Sequence, residues 1–151
     1  MRCEERFATV AAAAVGVRAD ELLEQSEGVL DVEQIDRVHA MRVASRRLRA
    51  TMEVFEACFP RKRFRAALKE VKAIADALGE RRDRDVSIAT LEAFAASLTA
   101  DDALGVRLMT SRLREEQQLA NDRLVAFVDP ARLRGLRERI GELAAAAEAR
   151  P

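Results

Sequence analysis

The chain has 151 residues, 34% of them charged and 49% hydrophobic, with six glycines, three prolines and a formal net charge of zero. That length allows one domain with a real core and is short for two, so a single domain over residues 1–151 is expected. Ala, Leu, Arg and Glu dominate and no alternating strand-like run occurs, which excludes a sheet protein and predicts an all-α bundle of about five to six helices.

Zero net charge conceals a strong polarity. Residues 37–84 hold 14 basic and 6 acidic side chains, residues 1–36 hold 3 and 9, and residues 85–151 hold 9 and 11. Either the acidic segments fold over the basic one, or the basic one faces an external anion. Cys3 and Cys58 have no ligand spacing and form no disulfide framework, which fits a reducing cytoplasm. The run ATVAAAAVGV follows Glu4 and Glu5 rather than basic residues and is too short for a bilayer, so it reads as helix and not as a targeting or membrane segment.

The first helix is predicted from about Cys3 to Gln25, with Phe7, Val10, Ala14, Val17 and Leu22 or Leu23 inward. SEGVLD breaks it, and Asp31 with Gln34 reads as a capping box for a second helix that runs to about Cys58. A third helix starts near Arg61, carries Phe64, Leu68, Val71, Ala75 and Leu78 on one face, and is expected to end at Gly79. GERRDRDV then reads as a connection, with Asp83 or Asp85 capping a fourth helix to about Leu98. TADD starts a fifth that runs to about Val128, and Pro130 fits the first turn of a last helix. The six phenylalanines read mainly as core.

The second helix carries the most informative pattern. At about 100° per residue, Val38, Met41, Ser45, Leu48, Met52 and Phe55 fall on one stripe, which is the core seam. His39, Arg42, Arg46 and Arg49 share that spacing one step round. From Arg37 to Arg49 there are five arginines and no Asp or Glu, and only Glu53 lies near enough to neutralise Arg49. A solvated face would set acids three or four residues from each arginine; like charges at that spacing cost a few tenths of a kcal/mol per pair. On the third helix Arg61, Arg65, Lys69 and Lys72 flank the apolar stripe, with Asp76 the one acid among them. Two antiparallel helices edged in this way make a positive groove, a shape suited to a linear polyanion.

The string His39-x-x-Arg42-Val43-x-x-Arg46-Arg47-x-Arg49, then Phe55 and Pro60, then Leu78-Gly79 and Arg82-Asp83-x-Asp85-Val86, resembles the CHAD domain, the conserved histidine α-helical domain. The match in order and spacing runs over about Val38 to Val86. The resemblance implies an all-α fold whose basic surface binds inorganic polyphosphate, association with polyphosphate granules, and a site containing His39, Arg42, Arg46, Arg47, Arg49 and Arg82. The basic edge of the third helix adds Arg65, Lys69 and Lys72. Members of that family typically carry two related halves. This chain carries one such motif and one histidine, so a homodimer is expected, in which a twofold axis restores the arrangement.

Competing readings are plain. Glu4, Glu5, Glu21, Glu24 and Glu27 of the first helix would cover the arginines if the charges were balanced internally. Asp83 and Asp85 would hold Mg²⁺ on a phosphate, but capping a helix or holding an adjacent arginine is the ordinary role of such residues. No nucleophile motif and no spaced ligand set occurs, so no catalytic residue, metal or cofactor is expected, and the chain reads as a binder rather than an enzyme. Without Trp or Tyr to stack bases, nucleic acid is disfavoured as the polyanion. A scaffold or dimerisation module and a phosphate-ester-processing protein are the remaining alternatives.

Overall fold

The structure, a computed structural model, describes residues 3–149, with side chains from Arg6 onward. Among the described residues it is all-helical: α1 (Cys3–Glu24), α2 (Ile35–Val54), a 3₁₀ turn (Glu56–Cys58), α3 (Arg61–Ala96), α4 (Ala100–Phe127) and α5 (Pro130–Glu148). Helix α1 packs on α2 and α5, α2 packs on α3, and α4 packs almost wholly on α3.

The second helix behaves as its periodicity predicts. Val38, Met41, Ser45, Leu48 and Met52 are fully buried, and Phe55 packs half-buried against the core. They meet Phe64, Val71, Ile74 and Leu78 of α3 and Leu133, Leu136, Ile140 and Leu143 of α5 in one aliphatic cluster. The ATVAAAAVGV run is indeed helical, but its inward face is corrected. Ala11, Ala12, Val15, Ala19 and Leu22 are buried, whereas Phe7, Val10 and Val17 are half or more exposed. Alanines admit two neighbouring helices at close range, so the small residues take the crowded side. Phe94 is exposed too. Phe7 rests against Phe55 with ring centroids 5.2 Å apart, and Phe59 stacks on Phe64 where the 3₁₀ turn enters α3.

The largest departure lies at Gly79. No helix ends there: α3 runs unbroken for 36 residues, and the expected third and fourth helices are one. A mid-helix glycine costs about 1 kcal/mol, and the packing of the following turns on α4 outweighs it. Arg81, Asp85 and Ile88 are buried there. Neither Asp83 nor Asp85 caps a helix. The α1–α2 connection turns at Gly28, whose φ of 71° favours glycine. Asp31 accepts from the Glu33 amide and the Gln34 side chain, but both bonds lie in the turn before α2, which starts at Ile35 without a side-chain cap. Thr99 caps α4 by accepting from Asp102 N–H, and Asp129 caps α5 by accepting from Arg132 N–H, with Pro130 in its first turn. Among the described residues, no helix is long and apolar enough to cross a membrane.

Candidate functional site

Helices α2 and α3 run antiparallel, and two contacts fix their register. Glu53 near the end of α2 meets Lys72 of α3, and a Cβ on Gly79 would stand 3.9 Å from Nε of Arg42, so the Arg42 side chain crosses α3 at that glycine. This register sets the basic edge of α2 (His39, Arg42, Arg46, Arg49) beside the edge of α3 that bears Arg65, Lys69 and Lys72, and Arg82 follows on α3 one turn past Gly79. His39, Arg46, Arg65 and Lys69 are exposed, and Arg42, Arg49, Lys72 and Arg82 are half-buried along their stems. At the Arg65 end the two walls enclose an open depression floored by Phe64 and Leu68.

The charge along this groove is uneven. Arg49 Nε donates to Glu53 Oε1 at 3.1 Å, and Lys72 Nζ lies 3.5 Å from the same oxygen. The Arg49 hydrogen bond, with the charge of Arg49 and Lys72 behind it, holds the Glu53 carboxyl below its ordinary value against the opposing pull of partial burial. Glu56 and Asp76 line the same depression as Arg65 and Lys69. Toward the other end, no carboxylate among the described residues stands within ion-pair distance of Arg42, Arg46 or Arg82, and the same holds for Arg65 and Lys69.

Among the described side chains, the glutamates of α1 and of the turn after it do not supply the missing charge. Glu21 accepts from Arg18 on its own helix and Asp20 from Arg137 of α5; Glu24 and Glu27 make no ion pair among the described residues. Glu4 and Glu5 lie outside the described side chains. Of the candidate residues, Arg47 stands apart. It lines a shallow depression with Glu21, Gln25, Ala40 and Val43 on the flank of α2 that faces α1, because one residue beyond Arg46 the helix has turned by about 100°.

On the face of α3 turned toward α4 lies a polar cluster that spacing alone did not mark as buried. Arg81 and Asp85 are 0% and 1% exposed. Arg81 Nε donates to Asp85 Oδ1 at 2.9 Å, Arg81 Nη1 donates to Asn121 Oδ1, and Gln117 Nε2 donates to Asp85 Oδ1 at 2.6 Å. Asn121 in turn donates to the Leu30 carbonyl at 3.0 Å, tying the segment that leads into α2 to α3 and α4. The traces in the sequence are two i,i+4 polar pairs, Arg81 with Asp85 and Gln117 with Asn121. Asp85 thus holds a neighbouring arginine, and among the described residues no group of three or more His, Cys, Asp or Glu is placed to hold a metal ion.

The family model of the CHAD domain matches residues 13–151, nearly the whole chain. The chain belongs to the CHAD domain family. That family is linked in general to polyphosphate binding, and the matched residues include both edges of the groove. The match extends well beyond the Val38–Val86 string on which the resemblance rested. No curated protein and no solved structure matches the chain.

Proposed function

We propose that this CHAD domain binds inorganic polyphosphate, or a phosphate polyanion like it, without catalysis, through the groove between α2 and α3. One observation carries the reading. Arg42, Arg46, Arg65, Lys69 and Arg82 edge two adjoining antiparallel helices, and none has a carboxylate within ion-pair distance among the described residues. Phosphate oxygens satisfy such guanidinium groups with more than one hydrogen bond each, and a linear chain of them follows a groove. His39, at the Arg42 end, donates from its ring. The protein acts in the cytoplasm, at polyphosphate granules.

It does so as a homodimer. The support is the arm formed by the second half of α3 and the stretch of α4 that packs on it, where Val86, Phe94, Leu104, Leu108, Met109 and Leu119 are 44–66% exposed. A second copy pairing along this arm removes them from water. Light scattering at micromolar concentration is expected to give twice the chain mass, and a concentration-independent monomer mass would overturn the dimer.

Titration with long-chain polyphosphate at several salt concentrations tests the binding. Affinity is expected to fall steeply with salt, by about 0.7 logarithmic units per neutralised phosphate if polyphosphate behaves as single-stranded nucleic acid does. Arg42→Ala with Arg46→Ala should weaken binding and make the slope shallower by about one to two units. Single-stranded DNA of equal charge should bind more weakly, since the groove offers no Trp or Tyr. His39→Ala should weaken binding by removing a ring donor. Equal binding by DNA, or unaltered binding by the double variant, would overturn the reading.

A further inference from the structure

We propose that Glu53 is a built-in competitor for one half of the groove and makes binding depend on the length of the phosphate chain, an inference that rests on the polyphosphate reading above. The two halves of the groove differ in kind. At the Arg42 end, Arg42, Arg46 and Arg82 have no carboxylate within ion-pair distance among the described residues, so an arriving phosphate has no ion pair to break. At the Lys72 end, one oxygen of Glu53 bridges the two walls, 3.1 Å from Arg49 Nε and 3.5 Å from Lys72 Nζ. That oxygen occupies the position a phosphate oxygen needs in order to touch both cations. Glu56 and Asp76 in the same depression bring the charge of this half near balance.

Glu53 is displaceable rather than locked. Its side chain is 42% exposed and those of Arg49 and Lys72 are 43% and 41% exposed, so the bridge is a solvent-facing ion pair, a weak and salt-screened kind. A short oligophosphate has no need to open it. From His39 to Arg46 the helix rises about 10 Å, enough to seat a triphosphate, and Glu53 stands about another 10 Å further on, beyond the screening length of about 8 Å at physiological salt. A long chain continues down the groove and gains Arg49 and Lys72 only by turning the Glu53 carboxylate out. The carboxylate thus lowers the benefit of length and leaves the binding of short chains untouched.

The test compares wild type with Glu53→Gln, a variant of nearly the same shape at an exposed position, by titrating each with inorganic triphosphate and with long-chain polyphosphate at about 0.15 M salt. The variant is expected to bind the long chain about three- to tenfold more tightly, with a salt slope steeper by about one unit, and to bind triphosphate within about twofold of wild type. Equal gains for both ligands would mean that Glu53 acts through general charge, and no gain for either would mean that the bridge does not compete; each overturns the inference while the polyphosphate reading stands. Wild-type protein that binds neither ligand would overturn both.

Discussion

Two regions of this molecule are held together by different chemistry. The bundle of α1, α2, the first half of α3, and α5 is closed by an aliphatic cluster in which Leu22, Met41, Leu48, Ile74, Leu136 and Ile140 are essentially inaccessible. The arm built from the second half of α3 and the stretch of α4 that packs on it has almost no such cluster. Its buried residues are Arg81, Asp85, Ile88, Ala103, Thr110, Gln117, Ala120 and Asn121, and ion pairs of Arg84 with Glu116, Arg114 with Glu92 and Arg123 with Glu80 lace its outside. Apolar burial is non-directional and tolerates rearrangement, whereas a buried guanidinium and its acceptors fit in one register only. The bundle therefore supplies stability, and the Arg81 cluster fixes how α3, α4 and the Leu30 segment meet.

The largest effect is expected at that cluster. Asp85→Ala leaves the Arg81 charge buried with a single oxygen acceptor, from Asn121, and should cost about 3–5 kcal/mol in chemical unfolding. Arg81→Met combined with Asp85→Leu should recover most of that loss, because it removes both desolvated charges at similar volume. Failure to recover would mean that the cluster contributes more than mutual neutralisation. Leu48→Ala in the bundle should cost about 2–5 kcal/mol, and no second polar substitution should restore it. Should Leu48→Ala prove mild and Asp85→Ala harmless, the division between the regions fails.

Smaller effects belong to the surface that joins them. Arg42→Ala with Arg46→Ala should leave the melting temperature near wild type or slightly higher, since it relieves an i,i+4 repulsion of a few tenths of a kcal/mol. A clear loss of stability would mean that the arginines answer carboxylates of their own chain. The smallest expected effect is at Glu53. Its folded carboxyl titrates below the ordinary 4.5, so its contribution is full above that pH and is lost as the pH falls through the lowered value. Wild type and Glu53→Gln should accordingly differ slightly at neutral pH and converge in acid, and a difference that grows in acid would reverse the sign.

Much of this was legible in the residues themselves. The face of α2 follows from Val38, Met41, Ser45, Leu48 and Met52 recurring every three or four positions, and the basic stripe beside it follows from the same geometry. The order of His39, the arginines and Leu78-Gly79 sufficed to mark the family. Other features were not written locally. In α1 the hydrophobicity of Phe7, Val10 and Val17 pointed outward, because which side of an alanine-rich helix is crowded depends on the partners that approach it. Gly79 and the RRDRD run read as a break, because a local penalty of about 1 kcal/mol is visible in the sequence and the α4 surface that outweighs it is not. Only tertiary structure decided that Arg47 turns toward α1, that Lys72 reaches Glu53, and that Arg81 is buried with Asn121. Each of these depends on the register between helices far apart in the chain, and periodicity fixes a helix's faces without fixing its neighbours.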